Sequence, residues 1–306
     1  MSAVSVVIPA FNAEQHIAEA LASVRAQTMS DLEVILVDDG STDGTVREAR
    51  RFAASLDLTI IQQANSGPSA ARNAGVRRAR SRYCAFLDAD DLMLPELLAA
   101  QTAVFETDPE FGLVITDVTT FDDRGVVHEA RWKFSEPQIG TALDRLLLEN
   151  FVTTSAVMAR TERLLEAGLF NEERRVAEDY ELWLRMAARW KVGIVDRPLV
   201  RYRYRPGSLS HDKVYSARSA LGVIERFWQE QSAYLERHPQ IHRHSLARHL
   251  ANAGAAASAE GMRYAALAYL LKSLRFDPGA QVAWKWLAKT LLLPPRRLRR
   301  QSSSRK

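Results

Sequence analysis

Three carboxylates lie within four residues of the chain, at Asp88, Asp90 and Asp91, directly after an apolar run that ends at Leu87. Such a boundary is typical of a buried parallel strand whose carboxyl end opens into a site. Residues two apart on an extended segment point the same way, so Asp88 and Asp90 can face one metal ion. The alternative is a solvated turn in which Asp90 or Asp91 caps a helix beginning a few residues later.

A second acidic pair, Glu178 and Asp179, opens a segment with helical periodicity that reaches about Arg189. The dipole of the helix favours anions in the first turn, which is a sufficient structural explanation of both side chains. For a carboxylate that works as a base, burial would raise the pKa and the helix N-terminus would lower it. The direction of the net pKa shift therefore does not follow from the sequence.

Short apolar runs rich in β-branched residues alternate with helix-period segments through the first third of the chain. The predicted strands are 4–8, 32–37, 58–61 and 83–87, and the predicted helices are 13–27, 43–54 and 69–80, the first with Asn12 as its N-cap. This order predicts an α/β fold with a parallel, right-handed, doubly wound sheet. Ligands of such sheets bind at the carboxyl ends of the strands.

Polar and Gly-rich sequence follows every one of these strands. The residues concerned include Pro9, Ala10, Phe11, Asn12, Asp38, Asp39, Gly40, Asn65, Gly67, Arg72, Asp88 and Ala89. Each segment has an ordinary explanation as a turn or a helix cap, but together they would lie on one sheet edge. Carboxylates there can accept hydrogen bonds from a base or a ribose, and Arg72 can donate to a base or a phosphate.

Two common nucleotide sites are absent from the sequence. The first strand is not followed by G-x-G-x-x-G, and no G-x-x-x-x-G-K-[ST] occurs, which disfavours dinucleotide and P-loop sites. The pattern instead predicts a nucleotide held by Asp39, Asn65 and Arg72, with its diphosphate reaching a metal at Asp88 and Asp90.

Composition restricts the class of protein further. The 306 residues carry a net charge of +4 and one cysteine, Cys84, which excludes an intramolecular disulfide and fits a small core residue. We find no signal-peptide pattern and no run of about eighteen apolar residues, so a cytoplasmic protein is expected. The basic run at 295–306 could contact anionic lipid or remain solvated, and no nucleic-acid partner is expected.

The sequence resembles the family 2 glycosyltransferases of the GT-A fold. The resemblance rests on four motifs in order within residues 3–92, namely VSVVIPAFN, VDDGSTDGT, QANSGPSAARNAG and FLDADD. It implies a nucleoside-diphosphate sugar donor, chiefly a UDP- or dTDP-sugar, a Mn²⁺ or Mg²⁺ ion, and inversion at the anomeric carbon. Asp90 is then the expected metal ligand, with Asp88 shared between ribose and metal. The strand-end residues given above become the expected donor contacts.

The resemblance also assigns roles later in the chain. It implies that Asp179 is the general base that takes the proton of the acceptor hydroxyl, with Glu178 in support. A Tyr-Arg stretch follows the last predicted core strand, and there Arg203 is a candidate phosphate contact and His211 a tentative extra metal ligand. A surface loop with scattered charge is the alternative for both.

The predicted domain organisation has three parts. A catalytic domain covers 1–212, divided into a nucleotide-sugar half at 1–105 and an acceptor half at 106–212. A helical extension at 213–293 and a basic tail at 294–306, expected to be disordered, complete the chain. Trp284, Trp286, Leu287 and Leu291 to Leu293 could form an amphipathic element on a membrane surface, which would place the protein at the inner face of the cytoplasmic membrane, or they could be core residues.

The expected activity is transfer of a sugar to a hydroxyl of a glycan or lipid-linked acceptor in cell-surface polysaccharide or lipopolysaccharide synthesis. The alternative from another class is a non-catalytic protein of the same fold that binds sugar nucleotides or glycans. A metal-dependent phosphatase is a third interpretation, but it would require a nucleophilic Asp where this chain has Pro9 and Ala10. The sugar, the acceptor and the oligomeric state do not follow from the sequence.

Overall fold

The computed structural model describes residues 2–122, 124–128, 142–204 and 212–292. The chain divides into two compact units, one formed by Met1–Leu146 with Asn150–Leu209 and the other by Leu147–Glu149 with Ser210–Lys306. The site residues predicted from the sequence and present in the described part all belong to the first unit.

The first unit contains nine strands and, in the described part, seven α-helices. The strands are β1 Val4–Ala10, β2 Leu32–Asp38, β3 Leu58–Gln62, β4 Tyr83–Phe86, β5 Leu92–Met93, β6 Phe111–Asp122, β7 Gly125–His128, β8 Val157–Arg160 and β9 Lys191–Arg203. The helices are α1 Ile17–Arg25, α2 Thr45–Arg50, α3 Pro68–Arg78, α4 Leu97–Thr107, α5 Ala142–Leu148, which ends in the second unit, α6 Thr161–Glu166 and α7 Glu178–Ala187.

These strands form one sheet in the order β3-β2-β1-β4-β8-β6-β9-β5, with β7 paired to β6. The first four strands are parallel to one another, which confirms the predicted α/β sheet and brings their carboxyl ends to one edge. β1 and β2 are buried on both faces, as expected of strands covered by helices on two sides. Beyond β4 the sheet is mixed, because β8 runs antiparallel to both β4 and β6.

Two strands were not predicted. β5 is only two residues long, too short for an alternating pattern, and it pairs with the end of β9 directly after the acidic turn. β7 is exposed at all four positions and forms a hairpin with β6. Their positions follow from tertiary pairing with longer strands and not from their own composition.

The structure shows neither the cap predicted at Asn12 nor the capping alternative for Asp90 and Asp91. Asn12 does not cap α1, which begins at Ile17. It has a positive φ of 49°, and its side chain and backbone bond to the loop after β2. Asp90 and Asp91 do not cap a helix either, because the chain continues into β5 and α4 begins only at Leu97. In each case a longer-range partner has displaced the local hydrogen bond that the sequence suggested.

Gly75 allows α3 to pack closely on β1. A Cβ atom added at this position would lie 2.4 Å from Cγ1 of Val7, a distance that no side chain tolerates. The same helix carries Arg72 one turn earlier, so the close packing fixes how far the Arg72 side chain stands from the sheet. This glycine therefore has a direct bearing on the site.

The second unit is helical in its described part. Its helices are α8 Lys213–Glu230, α9 Ser232–Arg237, α10 Pro239–Ala259, α11 Arg263–Phe276 and α12 Gln281–Leu292. The helix predicted at 214–237 is interrupted at Gln231, where the backbone leaves the helical region. α10, α11 and α12 pack around small and apolar side chains that include Ala257, Ala266, Leu270 and Leu287. No helix in the described residues is long and apolar enough to cross a membrane.

Candidate active site

Asp39 organises the loop that follows β3. One of its carboxylate oxygens accepts hydrogen bonds from Ser66 N and Gln63 Nε2, and the other accepts one from Gly67 N, all at 2.8 Å. A carboxylate offers about four lone-pair positions, so room for a further donor remains. Gly40 has a φ of +79°, and an added Cβ would lie 2.9 Å from Asn65 N. The loops after β2 and β3 therefore touch, as the sequence predicted from their shared edge.

The residues after β1 lie beside these loops. Ala10 O accepts a hydrogen bond from Asp39 N at 2.8 Å, and Ala10 is the register partner of Asp38. The side chain of Asn12 accepts a bond from Thr42 N at 2.9 Å. Phe11, by contrast, is 51% exposed at the end of the strand. An aromatic ring left open beside buried carboxylates is suited to stacking against a flat ligand.

The acidic turn after β4 is held by Ser155. This hydroxyl donates to Asp91 Oδ2 at 2.6 Å and accepts from Asp88 N at 3.0 Å. The other oxygen of Asp91 accepts a bond from Arg203 N at 2.9 Å, and Asp91 is buried. Burial, followed by the negative charges of Asp88 and Asp90, raises the pKa of Asp91 well above its usual range. Asp91 thus fixes the turn from inside, while Asp88 and Asp90 remain partly exposed.

Arg72 links the acidic turn to α7. It is buried, and its guanidinium donates from Nη2 to Asp88 Oδ1 at 2.8 Å and from Nη1 to Glu178 Oε1 at 2.9 Å. The guanidinium also lies 5.4 Å from the centroid of the Phe170 ring. Burial alone would lower the pKa of Arg72, but the charges of Asp88 and Glu178 outweigh it and raise that pKa. Arg72 thus stays cationic and neutralises part of the acidic charge.

The start of α7 presents Asp179 beside the same turn. Thr154 Oγ1 donates to Asp179 Oδ2 at 3.0 Å, and the backbone N of Tyr180 donates to Oδ1 at 2.6 Å. The helix is anchored behind them by Trp183 and other buried side chains. Thr154 and Ser155 are neighbours in a one-turn 3₁₀ helix before β8. One short turn thereby contacts both groups of carboxylates.

Both carboxylates at the start of α7 hold their protons more tightly than usual. Burial, followed by repulsion from Asp179, raises the pKa of Glu178 to about 7, although Arg72 opposes the shift. Burial also raises the pKa of Asp179, against the opposing effects of Arg72 and the bonds from Tyr180 and Thr154. Burial therefore outweighs the helix N-terminus, which the sequence left open.

Arg203 lies at the acidic turn but is engaged in other contacts. Its Nε donates to Asp90 O at 2.9 Å, and its Nη2 pairs with Glu19. Its guanidinium also stacks 4.5 Å from the Phe121 ring centroid. The side chain thus supports the turn from β9, and its predicted phosphate contact stays a prediction. His211 and the basic tail lie outside the described residues.

The donor set at the acidic turn fits a hard divalent cation. Asp88 and Asp90 offer oxygen ligands of the kind that Mg²⁺ and Mn²⁺ accept, and both are accessible in part. Within the described residues, no group of three or more His, Cys, Asp or Glu side chains is arranged to hold a metal ion. A cation here would need further ligands, which the oxygens of a diphosphate could supply.

Sequence reasoning missed two hydroxyl side chains of this site. The sequence pattern predicts a strand over 154–160 that would include Thr154 and Ser155, whereas the structure has a 3₁₀ turn at Thr154–Ala156 before β8. Their signal was weak, because two hydroxyl residues at the start of a predicted strand are common and their partners lie 25 and 64 residues away.

Comparison with known proteins gives one family. Residues 5–164 match the model of Glycosyl transferase family 2. An uncharacterized glycosyltransferase of Rickettsia felis is 30% identical over 67% of this chain and 33% of its own length. Chondroitin synthase of Escherichia coli is 31% identical over 60% of this chain and 26% of its own length. The chain thus spans about a third or less of the length of these curated relatives.

Two solved structures share the fold. S. aureus TarS 1-349 in complex with UDP-GlcNAc superposes with a TM-score of 0.64 at 20% identity and covers 94% of this chain and 92% of its own. The mannosyltransferase PcManGT from Pyrobaculum calidifontis, in complex with GDP-Man and Mn²⁺, gives a TM-score of 0.59 at 20% identity over 94% of this chain and 84% of its own.

Proposed function

Because this chain belongs to glycosyl transferase family 2 and its first unit has the GT-A fold, we propose that it is an inverting glycosyltransferase. The donor is a nucleoside-diphosphate sugar, with a UDP- or dTDP-sugar favoured. The acceptor is a hydroxyl of a glycan or glycolipid in cell-surface polysaccharide or lipopolysaccharide synthesis. The observation that carries this proposal is the Arg72 bridge, which joins the acidic turn after β4 to the carboxylates of α7.

The residues that follow the parallel strands would bind the sugar-nucleotide donor. Asp39 keeps acceptor capacity for a base N–H or a ribose hydroxyl, and the exposed ring of Phe11 can cover a base. The UDP-GlcNAc bound to TarS and the GDP-Man bound to PcManGT support a sugar nucleotide as the class of donor. Asn12 and Gly67 shape the rim of the same site through their loop contacts.

We assign the acidic turn as the place where the diphosphate of the donor binds. Asp90 and Asp88 would hold a Mn²⁺ or Mg²⁺ ion together with phosphate oxygens. Such an ion, when bound, neutralises charge on the departing nucleoside diphosphate. Arg72 holds the Asp88 carboxylate in place through a hydrogen bond, and Asp91 and Ser155 keep the backbone of the turn rigid.

We assign Asp179 as the base that takes the proton of the acceptor hydroxyl. In a single displacement the acceptor hydroxyl attacks the anomeric carbon, its proton passes to Asp179, and the nucleoside diphosphate leaves with the electrons of the broken bond. A raised pKa makes this carboxylate a better base once it is ionised. Thr154 and the backbone N–H of Tyr180 each donate to one Asp179 oxygen, and a carboxylate oxygen with one such bond keeps a lone pair that can accept the proton of the hydroxyl. Glu178, anchored by Arg72, holds the helix start in position.

Substitution of the base tests the proposal. Asp179→Asn should bind the donor nucleotide as wild type does, measured by calorimetry with UDP and GDP in the presence of Mn²⁺. The same variant should lose at least about a hundredfold in transfer rate, measured by mass spectrometry across a panel of sugar nucleotides and acceptors. Glu181→Gln, also in the first turn of α7 but paired with Arg174, is the matched control and should keep transfer.

Two outcomes would contradict the assignment. Transfer by Asp179→Asn at close to the wild-type rate would remove Asp179 as the base. Donor binding by the wild type without transfer or hydrolysis of any sugar nucleotide would favour a non-catalytic binding protein of the same fold.

A further inference from the structure

Charge is distributed very unevenly along this chain. Residues 262–306 contain eleven of the 41 basic residues and only one of the 37 acidic residues, Asp277. The preceding 261 residues therefore carry 30 basic and 36 acidic residues and are negative overall, although the whole chain has a net charge of +4. A short positive segment on an otherwise negative protein indicates an anionic partner for that segment.

Exposed apolar side chains are concentrated in the same segment. Seven of the thirteen large hydrophobic side chains that are exposed in the described part of the chain lie between Met262 and Leu292. Tyr264 at 89% and Leu292 at 84% are the most exposed of them. α12 buries Ala283, Leu287 and Thr290 and packs Trp286 in part against the helical core, whereas its other large apolar side chains are exposed, namely Val282, Trp284, Leu291 and Leu292.

Tertiary contacts bring the most exposed of these residues together. Arg263 Nη2 donates to Leu291 O at 3.3 Å, which places the first turn of α11 beside the last turn of α12. Tyr264 lies in that first turn of α11, and Leu291 and Leu292 lie in that last turn of α12. We call Tyr264, Trp284, Leu291 and Leu292 the α11–α12 apolar surface.

Two features of α12 suit an interface between water and hydrocarbon. The indole N–H of Trp284 donates to Pro278 O at 2.8 Å, so the exposed ring carries no unsatisfied donor. The Lys289 ammonium lies 4.3 Å from the Trp286 ring centroid, and Lys285 is exposed on the same helix. Lysines on long stems next to aromatic rings can reach lipid phosphates while the rings enter the headgroup region.

We propose that the α11–α12 apolar surface docks on an anionic phospholipid bilayer. The apolar side chains enter the headgroup boundary, and the basic side chains of α11 and α12, Lys285 and Lys289 among them, contact the lipid phosphates. Nucleic acid would be held by the cations alone and would leave the leucines and the tryptophan in water. A second copy is disfavoured, because two equally positive surfaces would repel each other.

Vesicle flotation of the full chain tests the proposal. The wild type should float with vesicles of phosphatidylcholine and phosphatidylglycerol and remain free with phosphatidylcholine alone. Leu291→Ser with Leu292→Ser should weaken the partition about tenfold or more through lost apolar insertion. Lys285→Gln with Lys289→Gln should weaken it about tenfold through lost attraction. Leu165→Ser, at a residue of α6 that is 50% exposed, is the matched control and should bind as wild type does.

Circular dichroism of each variant establishes that it is folded before flotation. Equal binding to charged and uncharged vesicles would overturn the proposal, as would unchanged binding of the Leu291/Leu292 variant. It would also be overturned if duplex DNA displaced the protein from the vesicles by competing for the same surface. A dimer seen in sedimentation and abolished by the same leucine substitutions would assign the surface to a second copy instead.

Discussion

Replacement of Arg72 by methionine should destabilise the first unit in a pH-dependent way. The guanidinium is the counter-charge of two carboxylates, at 2.9 Å from Glu178, whose side chain is 11% exposed, and at 2.8 Å from Asp88, which is 30% exposed. Removing one partner of a buried ion pair costs about 3–5 kcal/mol, because the other charge is left buried. Asp88 is partly solvated, so most of this cost should come from Glu178.

The pH dependence follows from the raised pKa of Glu178. In the wild type, the native state binds more protons than the unfolded state between the ordinary value of 4.5 and about 7, so stability falls as the pH rises through this window. Loss of Arg72 raises the native pKa of Glu178 further. At about pH 8 the substitution should lower the free energy of unfolding by the full amount of about 3–5 kcal/mol. At about pH 6 Glu178 is already largely protonated, so the loss of unfolding free energy should be half of that or less.

Urea unfolding followed by circular dichroism at the two pH values measures both effects. Arg51→Met is the control, because Arg51 pairs with Glu48 at the surface and should cost no more than about 1 kcal/mol. In a Glu178→Gln background the Arg72→Met cost should shrink and lose its pH dependence. A loss of stability that is equal at both pH values, or equal in the Gln background, would refute the role of Glu178 in this reasoning.

Three other substitutions test separate parts of the first unit. Thr154→Val should lower the transfer rate about tenfold and move the acid limb of its pH profile upwards, since Asp179 loses a bond that stabilises its charged form, whereas Thr154→Ser should restore both. Gly75→Ala should destabilise the protein by about 1–3 kcal/mol in thermal unfolding, because the new methyl group would clash with Val7, and an unchanged melting temperature would contradict that contact. Phe11→Ala should leave stability within about 0.5 kcal/mol but raise the KM for the donor, and an unaltered KM would exclude stacking on this ring.

The sequence predicted the parallel half of the sheet well, because its strands and helices have periodicities that depend on local burial. The four strands up to residue 87 are present within a few residues of their predicted bounds. The loop contact between Asp39 and residues 63–67 also follows from the rule that parallel strands end on one edge. Local hydrogen bonds were less reliable guides, since Asn12 and Asp91 both have partners distant in the chain.

The rest of the chain depended more on tertiary structure. β5 and β7 are strands only because β9 and β6 pair with them, and the 3₁₀ turn of Thr154 has no sequence pattern of its own. The sequence did not decide whether the apolar residues at the end of α12 are exposed or buried, because the same spacing is compatible with a buried helix. Only the packing of α10, α11 and α12 decided which side chains stay in water.

The sequence by itself determined the family, the succession of parallel strands and helices along the first third of the chain, and the identity of the carboxylates at the strand ends. These properties depend on motifs and periodicities within a few tens of residues. Tertiary structure alone decided that Arg72 would join Asp88, 16 residues away, to Glu178, 106 residues away, and that burial would raise the pKa of Glu178. The physical reason is that a charge pair and its desolvation are properties of the space between elements, which no single segment of the chain contains.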